Sequence, residues 1–122
     1  MKKSMPLGLT HLRVTFSDNF YIGPGRADLL EGIAETGSIA ASGKRMGMSY
    51  KRAWMLVQAL NDGWGTSLVE TSRGGAGQGG ATLTDDGAFL LARYRAMQAA
   101  TRSAIAADVA TVGKRLNMSG KK

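Results

Sequence analysis

The stretch Ser72–Thr84, SRGGAGQGGATLT, holds five glycines in thirteen positions. Within it Gly75, Gly77 and Gly80 satisfy G-x-G-x-x-G, a spacing that lets backbone approach a pyrophosphate. That chemistry needs a strand before the glycines and a helix opening directly after them, because the helix N-terminus holds the anion. Here Ala81-Thr82-Leu83-Thr84 intervenes and suits a returning strand, and no acidic residue closes a second parallel strand at the usual distance. The glycines therefore read as the tip of a hairpin, and no cofactor is expected. Other chemistry is sparse. There is no cysteine and a single histidine, His11, so disulfides and thiolate metal sites are excluded and no metal site is expected. With no nucleophile–base pair either, the chain reads as a non-enzyme.

What the composition does offer is charge. Sixteen Lys and Arg against nine Asp and Glu give a net charge of +7 over 122 residues. A basic excess attracts polyanions, either nucleic acid or anionic membrane, or serves only solubility. The length fits one domain. No apolar run approaches the ~20 residues needed to span a bilayer. The start, MKKSMPLGLTHLRV, has a basic tip without an apolar core behind it, so a cytoplasmic location without membrane partners is expected.

The elements that would position these residues can be read in order. HLRVTF (11–16) alternates, with Leu12, Val14 and Phe16 on one face, and reads as a short strand. SDNFYIGPGR reads as turn chemistry. From Arg26 to Thr36, Leu29, Leu30, Ile33 and Ala34 recur at helical spacing until Gly37. Ser38 suits the N-cap of a short helix ending before Gly47, in which Gly43 costs about 1 kcal/mol of helix propensity but permits close approach. Ser49 suits the N-cap of a third helix with Tyr50, Ala53, Trp54, Val57 and Leu60 on its inner face, ended by Gly63 and Gly65. SLVETS (67–72) and ATL (81–83) are strand-like. Thr84 then caps a last helix, and Asp85 and Asp86 complement its dipole.

This order predicts a mainly α fold with a small β-hairpin wing: a winged helix-turn-helix with a long C-terminal dimerisation helix. The third helix divides as a recognition helix must, with one side anchored and Ser49, Lys51, Arg52 and Met55 outward. A solvated helix surface would account for Lys51 and Arg52 taken alone. Lys44 and Arg45 on the preceding helix, and Arg73 at the root of the loop, also fall where this fold would meet DNA. Gln78, in the loop, can join Arg73 on sugar–phosphate or in the minor groove. Trp54 reads as core, while Tyr50 suits either the core or a phosphate contact through its hydroxyl.

Two stretches, LLEGIAETGSIAASGKRMGMSYKRAWMLVQALND and LVETSRGGAGQGGATLTDDGAFLLARYRAM, carry a family resemblance. They resemble the N-terminal DNA-binding domain of ModE-type molybdate-responsive transcriptional regulators and, more broadly, the LysR-type helix-turn-helix. The resemblance implies a homodimer on double-stranded DNA, with Ser49, Lys51 and Arg52 in the major groove and Arg73 and Gln78 in the wing. It implies a sequence-specific regulator, read here as a repressor. The family's C-terminal molybdate-binding domains are expected to be missing, so molybdate enters only by family association. The reading from another class is a winged-helix protein–protein interaction module that does not read DNA.

The dimer also has an argument of its own. Leu90, Tyr94, Met97, Thr101, Ile105, Val109, Val112 and Leu116 follow at steps of three or four along the last helix. A small body covers only the first half of such a stripe. A second copy can cover the rest, unless the N-terminal strand folds back over it. The expected organisation is a winged helix-turn-helix over 1–116, with 85–116 as dimerisation helix and 117–122 as a basic tail.

Overall fold

The computed structural model describes residues 8–73 and 79–120. In chain order they form β1 (Val14–Ser17), β2 (Phe20–Ile22), α1 (Pro24–Thr36), α2 (Ile39–Arg45), α3 (Tyr50–Trp64), β3 (Val69–Arg73), β4 (Gly79–Leu83) and α4 (Asp85–Gly120). β1 pairs with β2 and β3 with β4, each as an antiparallel hairpin. Three helices followed by the β3–β4 hairpin make a winged helix-turn-helix, carried on a long α4.

The helix boundaries follow from local side-chain chemistry. Gly37 ends α1 in the left-handed region at φ 73°, where a Cβ would be strained. The Ser38 hydroxyl accepts the Ala41 N–H at 3.0 Å and opens α2. Ser49 accepts the Arg52 N–H at 3.1 Å and opens α3. Thr84 accepts the Gly87 N–H at 3.0 Å while its own hydroxyl donates to the Ser67 carbonyl at 2.8 Å, so one side chain caps α4 and ties it to the start of the β3 segment. α4 runs to Gly120, four residues beyond the Leu116 end expected.

The core is one cluster drawn from every layer. Leu29, Leu30 and Ile33 of α1 meet Ala53, Val57 and Leu60 of α3, Leu68 and Val69 beside and on β3, and Leu90 and Tyr94 of α4. Two small contacts seat α2 between α1 and α3. The Ser42 hydroxyl donates to the Leu29 carbonyl at 2.8 Å, and α1 presents Gly32 to Ser42 because any Cβ there would collide with it. A Cβ on Gly43 would lie 2.8 Å from the Ala53 methyl, so glycine lets α2 and α3 touch.

Four features depart from the sequence reading. Phe20, Tyr21 and Ile22 form a strand, with Phe20 and Ile22 buried, where turn chemistry was expected. Its partner β1 changes register between Thr15 and Ser17, so the alternation of Leu12, Val14 and Phe16 breaks and Phe16 turns out to solvent. Gly63 lies inside α3 and does not end it. A Cβ there would meet the Asn19 carbonyl at 2.6 Å, so the glycine seats the first hairpin on α3. Trp54 is 42% exposed and is not part of the core.

α4 is anchored by two polar links. Arg95 is held 2.8 Å from Asp28 and 2.9 Å from Glu31, both on α1, and donates to Gln98 at 3.0 Å, which explains a buried glutamine on this face. Burial works against the Arg95 charge, but the two carboxylates outweigh it and hold its pKa above the ordinary value. One residue earlier, the buried Tyr94 hydroxyl donates to the Leu12 carbonyl at 2.7 Å. Tyr94→Phe removes that donor and strands a carbonyl, and is expected to cost about 1–2 kcal/mol. Urea denaturation of both proteins measures it. An unchanged midpoint would show that the link contributes nothing.

Candidate nucleic-acid interface

The residues singled out in the sequence gather around α3. Ala53, Val57 and Leu60 are its buried side. Ser49, Lys51, Arg52 and Met55 lie on the opposite side and together border a shallow groove of about 360 Å³. Lys51 and Arg52 are exposed at the start of the helix, where their charges sit in the first turn and neither has an ion-pair partner among the described residues. Cations at a helix N-terminus oppose the dipole, so the sequence places them there against local stability. Met55 is exposed too, as an apolar spot among cations. Tyr50, which could have belonged to either side, is 57% exposed.

Lys44 and Arg45 are exposed at the end of α2, one turn from α3. Arg45 pairs with Glu35 of α1 at 2.7 Å. Both partners are about half exposed, so the pair contributes little to stability and can be exchanged for another anion. Arg73 is the last residue of β3, opposite Gly79 of β4. Gln78 lies outside the described residues.

Asn61 joins α3 to the β3–β4 hairpin. Its carbonyl accepts from the Leu68 and Val69 amides at 2.8 and 3.1 Å, and its amide donates to the Val69 carbonyl at 3.2 Å. One side chain thus ties the start of the hairpin to α3, beside the core packing of Leu68 and Val69. Nothing in the sequence marked it, because an asparagine near a helix end reads equally well as a simple turn residue.

Along α4 the stripe is covered only at first. Leu90 and Tyr94 are buried, and Met97 lines an apolar groove with Phe16, Phe20 and Phe89. Thr101 and Ile105 are half-buried, while Val109, Val112 and Leu116 are exposed. Among the described residues the N-terminal segment does fold back, through Leu12, and meets α4 at Tyr94. No helix among the described residues is long and apolar enough to cross a membrane.

Comparison with known proteins agrees with this geometry. The family model for bacterial regulatory helix-turn-helix proteins of the lysR family matches residues 26–88, more than half of the chain. Molybdenum-pterin-binding protein MopB of Rhodobacter capsulatus is 44% identical over 78 residues, 64% of this chain and 29% of that protein. The DNA-binding transcriptional dual regulator ModE of Escherichia coli K12 is 39% identical over 83 residues, 68% of this chain and 32% of that protein. The chain therefore matches about a third of the length of these curated relatives. Among solved structures, a CbnR_DBD–DNA complex aligns with a TM-score of 0.55 at 28% identity, covering 71% of this chain and 95% of that one. A winged helix-turn-helix with this match belongs to the lysR family of bacterial regulatory helix-turn-helix proteins.

Proposed function

We propose that the chain is a transcriptional regulator of the ModE type that binds double-stranded DNA sequence-specifically as a homodimer, with repression as its mode. The observation that carries the reading is the division of α3: three buried anchors on one side, and Ser49, Lys51, Arg52 and Met55 outward on the other. A helix so divided can enter the major groove with its first turns against base edges. The DNA in the complex of the solved relative supports the same partner. Occupying a promoter suffices for repression. The stripe from Ile105 to Leu116 supports the dimer, since a second copy related by a two-fold axis would cover aliphatic residues that the body leaves partly or fully exposed. DNA is the ligand in this reading, and no molybdenum chemistry is assigned to the domain.

Arg52→Ala tests it. On a duplex selected from genomic fragments, the substitution is expected to cost about 1–3 kcal/mol and to relax the preference at one base position. Equal loss on every sequence would make Arg52 a phosphate contact. Unchanged binding would remove α3 from the interface.

A further inference from the structure

Between α3 and the β3–β4 hairpin runs a second groove, of about 340 Å³. Tyr50 and Trp54 form one wall, Thr71 and Ser72 of β3 the other, and Ser38 closes one end. Among the described residues no charged side chain lines it. It is open: Tyr50 is 57% and Trp54 42% exposed. Two large aromatic rings left in solvent beside Ser38, Thr71 and Ser72 are not explained by the core, which is complete without them.

The geometry of duplex DNA says what would lie there. A helix in the major groove and a hairpin in the neighbouring minor groove are separated by one sugar–phosphate strand. That strand has to pass between α3 and β3–β4. It alternates an apolar deoxyribose with a phosphate that only accepts hydrogen bonds, and the groove offers aromatic rings and hydroxyl donors.

We propose that this groove seats the DNA strand, with the Tyr50 and Trp54 rings against deoxyribose and the Ser38, Thr71 and Ser72 hydroxyls donating to phosphate oxygens. The inference rests on the DNA-binding reading above and adds contacts to it. Ser38 keeps its proton for this role, because its oxygen caps α2 as an acceptor. Gly80 leaves room for Ser72: a Cβ at that position would sit 3.2 Å from the serine hydroxyl oxygen. Neutral contacts release no counterions and touch no base, so their share of the affinity is independent of both salt and sequence.

The test measures binding of the full chain to a random-sequence duplex of about three helical turns across a salt series. Thr71→Val with Ser72→Ala is expected to weaken binding roughly tenfold at every salt concentration, leaving the slope of log K against log[salt] unchanged. Trp54→Ala gives the same parallel shift by removing a ring from the other wall. Lys51→Ala, in contrast, flattens the slope by about one. Neutral methylphosphonates placed one at a time then locate the contact, since the linkage that weakens the wild type ceases to matter in the double variant. The proposal is overturned if both groove variants bind as well as wild type, if their slope falls as it does for Lys51→Ala, or if no linkage is coupled to Thr71 and Ser72. Failure of the wild type to bind duplex in a salt-dependent way would instead remove the DNA-binding reading, and this inference with it.

Discussion

Gly87→Ala is expected to lower the melting temperature by about 10–20 °C, while Gly113→Ala, the same change in the same helix, raises it by a few degrees. Alanine is the better helix former by about 1 kcal/mol, and at Gly113 a Cβ would meet nothing within 4 Å, so the gain is realised. At Gly87 a Cβ would collide with the Leu68 carbonyl oxygen, a backbone atom that cannot rotate away. That oxygen also accepts from the Thr84 amide at 2.9 Å and from its hydroxyl at 3.2 Å, so moving it disturbs the cap of α4 as well. We put the loss at about 3 kcal/mol, the upper end of the usual overpacking range, because the atom in the way is backbone. Thermal melts followed by circular dichroism decide it. Equal effects at the two glycines would mean that α4 does not abut β3 as described.

The second large effect is on assembly. Ile105→Asp combined with Val109→Asp is expected to give a folded monomer whose affinity for a two-half-site duplex falls a hundredfold or more, because the second half-site contact ceases to be intramolecular. The residues lie on the distal half of α4, beyond the Arg95 anchor, so the body's core keeps all its members. A carboxylate in a dry helix–helix interface is costly, and two per subunit remove the interface. Light scattering gives the mass and circular dichroism the fold. A wild type that is monomeric at tens of micromolar removes the dimer, and a double variant that unfolds makes the stripe internal core.

Features that depend on a few neighbouring residues were legible in the sequence. Ser38, Ser49 and Thr84 each hold an amide three residues on, and a hydroxyl before an apolar-periodic run announces this without any tertiary information. The outward Lys51, Arg52 and Met55 followed from the 3.6-residue period alone. Features that depend on distant partners were not legible. Phe20-Tyr21-Ile22 is too short to show alternation, and Tyr21 is held by the Arg13 and Arg26 guanidiniums over its ring at 3.6 and 3.8 Å, a contact no local pattern encodes. Trp54 sits one residue from Ala53, about 100° further round the helix, at the edge of the apolar arc. There its size suggested burial, but the groove beside the hairpin leaves it open. Gln98, on the buried face of α4, is satisfied by Arg95, and a polar residue at such a position cannot be placed until its partner is known.

The Arg95 cluster bears on the spacing of DNA half-sites. From Arg95 to Gly120 α4 extends by about 38 Å at 1.5 Å per residue. A tilt of about 5° at the anchor therefore displaces the far end by about 3 Å, roughly the rise of one base pair. In the proposed dimer each reading head hangs from its own α4, so the tightness of the anchors, Arg95 between Asp28 and Glu31 together with the Tyr94–Leu12 bond, bears on how strictly the protein tolerates an inserted or deleted base pair between half-sites.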